Sequence, residues 1–313
     1  MPFPRLESGR VDKQVGSVLQ AYTNADFIAS GILPVCPVTE ESGKIGTIEN
    51  SHLRTYDSRR ALYDEGSHRM EFKVNNDDSY QIEYYDLEGY VPDRLQRQLQ
   101  TPFDAKRDCG ISVLQALMLE REDALAAAFT STAILTQNTT LSGTSQFNDF
   151  TNSTPEDVFE TARTTIHGAI GREANAVEMS RKVFNTLKRH PFFLNMVKGV
   201  KVLDGSVLMQ LIKDFFEVKY VFIGKSIKIT SNEGQTETKS VVWGNDVVFF
   251  YRPDSPSLYE PALGYQFTLT GENMRAVSRR HQQDKGDLME VQWAYQDKIL
   301  DTNAAYLIKN AVA

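Results

Sequence analysis

Five histidines, two cysteines and a few close groups of carboxylates are the side chains of this 313-residue chain that could carry chemistry. Their spacing decides which chemistry is open. His52, His68, His167, His190 and His281 never stand at i, i+4, the spacing that would set two imidazoles on one helix face as metal ligands. Cys36 and Cys109 are too few and too far apart for a disulfide framework or a four-ligand zinc site, and read as buried, reduced thiols. "GTSQF" (143–147) comes nearest to a nucleophile elbow but lacks the final glycine and sits in a polar stretch, so a plain loop is the simpler reading. Glu120, Glu122 and Asp123 could form an acid/base pair only if two of them shared a pocket; their alternation with Arg121 reads instead as a solvated or intersubunit helix face. The basic stretch "RAVSRRHQQDK" (275–285) is bordered by Asp284 and Asp287 and lacks the interleaved aromatics of a nucleic-acid surface. With no phosphate-binding glycine loop either, no catalytic, cofactor-binding or metal-binding residue is assigned, and the chain reads as a non-enzyme.

Composition narrows the classes further. A net charge of −7 disfavours a role whose affinity rests on gripping phosphate backbones, and the charges are well mixed. The first residues, MPFPRLESGRVDK, place prolines and charges where a secretory signal needs an apolar run, so synthesis inside the cell is expected. The longest uncharged stretch ends in Thr, Ser, Asn and Gln, so no membrane span is expected.

The elements that would position these residues follow in order. Residues 1–35 read as an arm, and 36–95 as a β-ribbon punctuated by glycines. Within it, "MEFKVNNDDSYQIEYYD" (70–86) predicts two alternating strands, with Asn75 to Ser79 as the turn. Met70, Phe72 and Val74 would fall on one face of the first strand, and Tyr80, Ile82 and Tyr84 on one face of the second, giving the ribbon an apolar side with nothing nearby to cover it. Such a ribbon is marginal alone in water, so it needs a partner within the chain or on another copy. Thr101-Pro102 and Asp104 signal the start of a long helix to about Thr130. A polar loop (136–153) follows, then a helix capped at Thr154, a short buried strand "NAVEMS" (175–180), and a helix from Ser180 to about His190. Asp204 predicts a further helix cap, and "VKYVFIG" (218–224) and "DVVFFYRP" (246–253) predict strands of an α/β unit. Three more strands are expected in 264–271, 288–296 and 304–310.

The α+β order of arm, ribbon, long helix, α/β unit and terminal strands resembles the tailed-bacteriophage major capsid protein family, whose fold is shared with encapsulins. The likeness is carried by "HRMEFKVNNDDSYQIEYYDLEGYVPD" (68–93), the helix after Thr101-Pro102, "AVEMSRKVFNTLKRHP" (176–191), "WGNDVVFFYRPDSPSLYEPALGYQFTLTG" (243–271) and the strand-rich tail. It implies an N-terminal arm (1–35), an extended loop (36–95), a peripheral domain with a spine helix (96–154), an axial domain (155–262) and returning peripheral strands (263–313). The ribbon would lie on an adjacent subunit, with Met70, Phe72, Val74, Tyr80, Ile82 and Tyr84 as the intersubunit contact. The function implied is a capsid subunit forming hexamers and pentamers of an icosahedral shell around double-stranded DNA, which it encloses without sequence-specific binding. A portal and a separate scaffolding protein are the implied partners, because only about 35 residues precede the ribbon where some relatives carry a cleaved scaffolding segment; a processed form is the other reading. The implied location is the virion, assembled in the host bacterial cytoplasm. Some relatives join subunits through a lysine–asparagine isopeptide bond, for which Lys73 and Asn303 or Asn310 are residues of the right type. An encapsulin-like compartment, an α+β enzyme with an unrecognised site, and a tail component are the competing readings.

Overall fold

The computed structural model describes residues 10–11, 26–48, 55, 74–98, 104–197, 203–232, 234–257, 260–271 and 274–313. The first half of the chain holds β1 (Arg10–Val11), α1 (Ala29–Ile32), β2 (Val35–Val38), β3 (Ser42–Ile48), β4 (Val74–Gln81), β5 (Glu83–Pro92), α2 (Asp93–Gln98), α3 (Ala105–Phe129) and β6 (Asn138–Thr140). Then come α4 (Pro155–Ile170), β7 (Ala176–Ser180), α5 (Arg181–Leu187), α6 (Pro191–Met196), α7 (Gly205–Phe215), β8 (Tyr220–Gly224), β9 (Ile227–Ile229) and β10 (Lys239–Val241). The last strands are β11 (Val247–Phe250), β12 (Gly264–Leu269), β13 (Met274–His281), β14 (Gly286–Ile299) and β15 (Ala305–Lys309).

Two sheets result. The first is built on the 14-residue β14, which pairs antiparallel with β5 along one edge and with β13 and then β12 along the other; β1 and β2 extend it. The second is mixed, in the order β6-β15-β11-β7-β8. Its strands carry the near-continuous apolar runs of a sheet covered on both faces: β7 and β11 are buried at every position. Phe159 of α4 packs 5.0 Å from Phe249 on one face, and Phe129 of α3 packs edge-on 5.7 Å from Phe250 on the other.

Helix α3 links the two cores. Its 25 residues span about 37 Å at the usual rise. Val113, Leu114 and Leu117 lie in a core with Val91 of β5 and Met289, Val291, Trp293 and Tyr295 of β14. Leu125, Ala126 and Phe129 enter the core of the second sheet with Trp243 and Phe250. The helix begins at Asp104, whose carboxylate accepts from the amides of Lys106 and Arg107. Thr101 and Pro102, the expected start, lie outside the described residues. The expected cap Asp204 accepts from the Ser206 amide and Ser180 from the Val183 amide, whereas Thr154, expected to cap α4, makes no side-chain cap bond; Gly171 ends α4 in the left-handed region at φ 68°.

Several expectations need correction. Asn75 to Ser79 are not a turn but the middle of β4, which pairs antiparallel with β3. No glycine in that run favours a reversal, and β3 upstream supplies the ladder that the polar residues need. The basic stretch 275–285 supplies most of strand β13. The last strand, expected with the peripheral strands, joins the second sheet beside β11. The loop 136–153 contains β6 and a 3₁₀ turn at Gly143–Ser145.

One close approach provides a test of the first sheet. A Cβ on Gly264 would sit 2.2 Å from the Lys298 carbonyl oxygen and 3.0 Å from the Ile299 Cα, backbone atoms that cannot swing away. Gly264→Ala is expected to destabilise the chain by about 1–3 kcal/mol or more. The check is the urea midpoint, which should fall with its slope unchanged; an unaltered midpoint would contradict this packing.

Candidate functional site

Two places in the molecule combine polar chemistry with position: the buried junction on α3 and the exposed face of β5. At the junction, Arg121 is 3% exposed and Glu122 is fully buried, which corrects the expectation that both lie on a solvated or intersubunit face. Arg121 donates from Nε and Nη2 to the two carboxylate oxygens of Asp297 on β14, at 2.7 and 3.0 Å. Its guanidinium also lies 5.3 Å from the ring centres of Trp293 and Tyr295. Glu122 points into the second core, where its carboxylate accepts from the Ile28 amide at 3.1 Å, the Ala29 amide at 2.8 Å, Trp243 Nε1 at 2.6 Å and Ser226 Oγ at 3.3 Å. Trp243 reaches that position because Gly224 has no side chain; a Cβ there would meet its Cδ1 at 2.3 Å. Two adjacent helix residues thus hold the first sheet, the second sheet and the segment at α1 together.

The other groups singled out from the sequence are committed to structure. His190 donates or accepts through Nε2 with Ser153 Oγ at 3.0 Å, and its Nδ1 accepts from the Phe192 amide as the cap of α6. That acceptor role places the ring proton on Nε2. His281 pairs with Asp284 at 3.0 Å. The Ser145 hydroxyl of "GTSQF" closes its own turn by donating to the Ser142 carbonyl. Arg279 pairs with Glu290, and Arg280 with Asp93 and Asp287, while Arg275 donates to Gln292, so two of the strand's three arginines are neutralised by acids of the same chain. No group of three potential metal ligands occurs among the described residues, and no helix among them is long and apolar enough to cross a membrane.

The residues named for intersubunit contact separate. Met70 and Phe72 lie outside the described residues, as does Lys73. Val74 opens β4 opposite Ile48. Tyr80 stacks on Phe267 of its own chain, with ring centres 4.8 Å apart, and Ile82 is 5% exposed. Among those whose side chains are described, only Tyr84 is well exposed, at 55%, its hydroxyl donating to Glu41 at 2.9 Å. The strand period adds Tyr90, 44% exposed on the same face of β5, with Asp86 and Glu88 between them. A second exposed apolar surface lies on the two-stranded ribbon β9–β10, where Ile227 stands opposite Val241 and next to Ile229 on one face. Alternation in "YYDLEGY" could have revealed Tyr90; the short, lysine-bearing β9 and β10 gave no comparable signal.

The path of α3 between a ribbon-bearing sheet and a mixed α/β sheet is the architecture of phage capsid subunits and encapsulins. Over 92% of this chain it matches the capsid structure of the cyanophage P-SCSP1u with a TM-score of 0.58 at 10% identity, covering 89% of that chain. It also matches the SrpI encapsulin of Synechococcus elongatus PCC 7942, with a TM-score of 0.51, 9% identity and 93% of this chain against 89% of that one. A phage-related protein from Bordetella bronchiseptica RB50 is more similar, with a TM-score of 0.75, 26% identity and coverage of 97% and 98%. In sequence, the chain is 28% identical over 305 residues to the major capsid protein of Burkholderia phage BcepMu, covering 95% of each. It is 23% identical over 278 residues to the major capsid protein of Pseudomonas phage JBD67, covering 87% of this chain and 84% of that one. No protein-family model matches. The chain is therefore similar over nearly its whole length to phage major capsid proteins and has the fold of phage capsid subunits and encapsulins.

Two measurements test the site's polar groups. Asp297→Ala leaves Arg121 buried without its carboxylate and is expected to cost about 3–5 kcal/mol in urea unfolding; a loss below about 1 kcal/mol, the size of an exposed pair, would contradict the junction. Burial depresses the basicity of His190. The unfolded chain therefore takes up a proton near pH 6.5 that the folded chain resists, so stability is lost as pH falls below about 6.5 toward the lower folded value. His190→Gln should flatten that part of the stability profile, and an unchanged profile would contradict the assignment.

Proposed function

We propose that this chain is the major capsid subunit of a tailed phage, assembling into hexamers and pentamers of an icosahedral shell that encloses double-stranded DNA. The observation that carries the proposal is similarity to phage major capsid proteins over nearly the whole chain, joined to their fold. The mild negative charge suits a container that holds DNA without binding it site by site. A portal and a separate scaffolding protein are the partners in this reading, and the virion, assembled in the bacterial cytoplasm, is the location.

In this reading the outer face of β5 and the ribbon above it meet a neighbouring copy. Tyr84 and Tyr90 are already about half covered, so burying the rest would contribute half of the roughly 1.5–3 kcal/mol of a fully exposed apolar side chain each. The cost of association, at about 4–15 kcal/mol, outweighs two such partial gains. One such contact would not hold two subunits, whereas closed rings in which every copy makes and receives the contact multiply it. Met70, Phe72 and Val74 are proposed to add to the same contact. Ile82 and Tyr80 serve the chain's own core instead, so charges placed there would test folding rather than assembly.

The similarity to an encapsulin supports a second reading, a compartment for a protein cargo. Mass spectrometry and nuclease digestion of particle contents separate the two: packaged DNA supports the capsid, and a single enclosed enzyme overturns it. Tyr84→Asp with Tyr90→Asp is expected to leave the subunit folded by circular dichroism while abolishing shells in negative-stain micrographs. Shells of normal size and yield from that variant would rule out the strand face as an assembly contact.

A further inference from the structure

The second sheet buries one acid that the fold leaves unsatisfied. Glu178 lies in the middle of β7, fully buried, and neither of its carboxyl oxygens has a hydrogen-bond partner among the described residues. Register sets it between Val248 of β11 and Phe222 of β8. Phe250, two residues along β11, belongs to the same face, and Phe250 is the ring on which Phe129 of α3 packs. An ionised carboxylate without a donor in such surroundings is far costlier than the neutral acid.

The charged groups around it offer no relief. On the Glu178 face of β7, Ser180 two residues along pairs with Gly224, over which Trp243 packs while donating to Glu122 of α3; Glu122 and Asp246, before β11, are the charges that act on Glu178, and both are acids. Lys309 of β15, the nearest cation to Asp246, is bound to it at 3.1 Å and also donates to the Thr130 carbonyl. Arg121 of α3 is taken by Asp297. At the β8 register position stands Phe222, which does not titrate. Glu122, by contrast, has four donors on its two oxygens, the surroundings of a carboxylate.

We propose that Glu178 is held as the neutral acid and acts as a proton-operated control on the Glu122 clamp, with loss of its proton releasing the Ile28–Ala29 segment from α3. The reasoning is one of charge placement: Glu122 holds one negative charge against the two amides, and a second charge beside it in the core is relieved by opening the clamp. Burial first, and then the charges of Asp246 and Glu122, push the Glu178 carboxyl well above the usual carboxylate range. Because the folded value is raised, this group's contribution is fully present below the ordinary glutamate value, near pH 4.3, and is lost as pH rises toward the folded value. The inference concerns the subunit itself and stands apart from the capsid reading.

The test is a pH series of urea unfolding on the full chain and on Glu178→Gln, with hydrogen exchange followed at residues 26–33. Relative to the variant, the wild-type folding constant should fall about tenfold per pH unit through the window. The Ile28 and Ala29 amides should lose protection in alkali beyond the intrinsic rise in exchange, and only in the wild type. Both proteins carry His190, whose opposite trend below about pH 6.5 cancels in the comparison. Parallel stability curves and equal protection would overturn the proposal. Should the variant fail to fold, infrared spectroscopy of the wild type decides: a protonated-carboxyl band persisting at neutral pH and vanishing in alkali supports the proposal, and its absence at neutral pH overturns it.

Discussion

Everything in this subunit depends on α3 keeping two opposite charges, at consecutive positions, out of water. Arg121 and Glu122 point about 100° apart around the helix, so one reaches Asp297 in the first sheet while the other reaches Trp243, Ser226 and the α1 amides. A buried pair of this kind adds little net stability over an apolar replacement, but removing one partner is costly. Its effect is therefore on geometry: it sets where along α3, and at which rotation, the two cores sit. In the proposed capsid reading, a subunit that repeats one shape around a closed shell needs that relation held.

The surface complements this rigid interior. The outer face of β5 presents tyrosines separated by carboxylates, and the β9–β10 ribbon presents aliphatic side chains. Exposed apolar groups of this size are ordinary when scattered but suggest contact when they align on one face of a strand. Weak, directional contacts repeated around rings give assembly that is cooperative without any single strong interface.

Much of the fold was legible because it rests on local signals. The buried strand at 176–180, the caps at Ser180 and Asp204, and the long helix each follow from a short pattern of residue types. The junction was not legible, because periodicity arguments assume a helix with one wet side, and α3 is clasped by a core at each end with charges turned inward between them. Nor was the partner of β4: Asn75 to Ser79 look like a turn in isolation, and only the distant β3 makes them a strand. Of the residues proposed for intersubunit contact, sequence alternation identified Tyr84 on the outer face but could not tell that Tyr80 would be taken by Phe267 of the same chain.

Cryo-electron microscopy of particles assembled from the purified chain tests the central claim most directly, because it shows both whether a closed shell forms and what lies on β5. A shell in which Tyr84 and Tyr90 are buried against the next copy, around an unchanged Arg121–Glu122 junction, is the expected result. A chain that stays monomeric or dimeric across salt and scaffold conditions, or a shell with that strand face open to solvent, would contradict it.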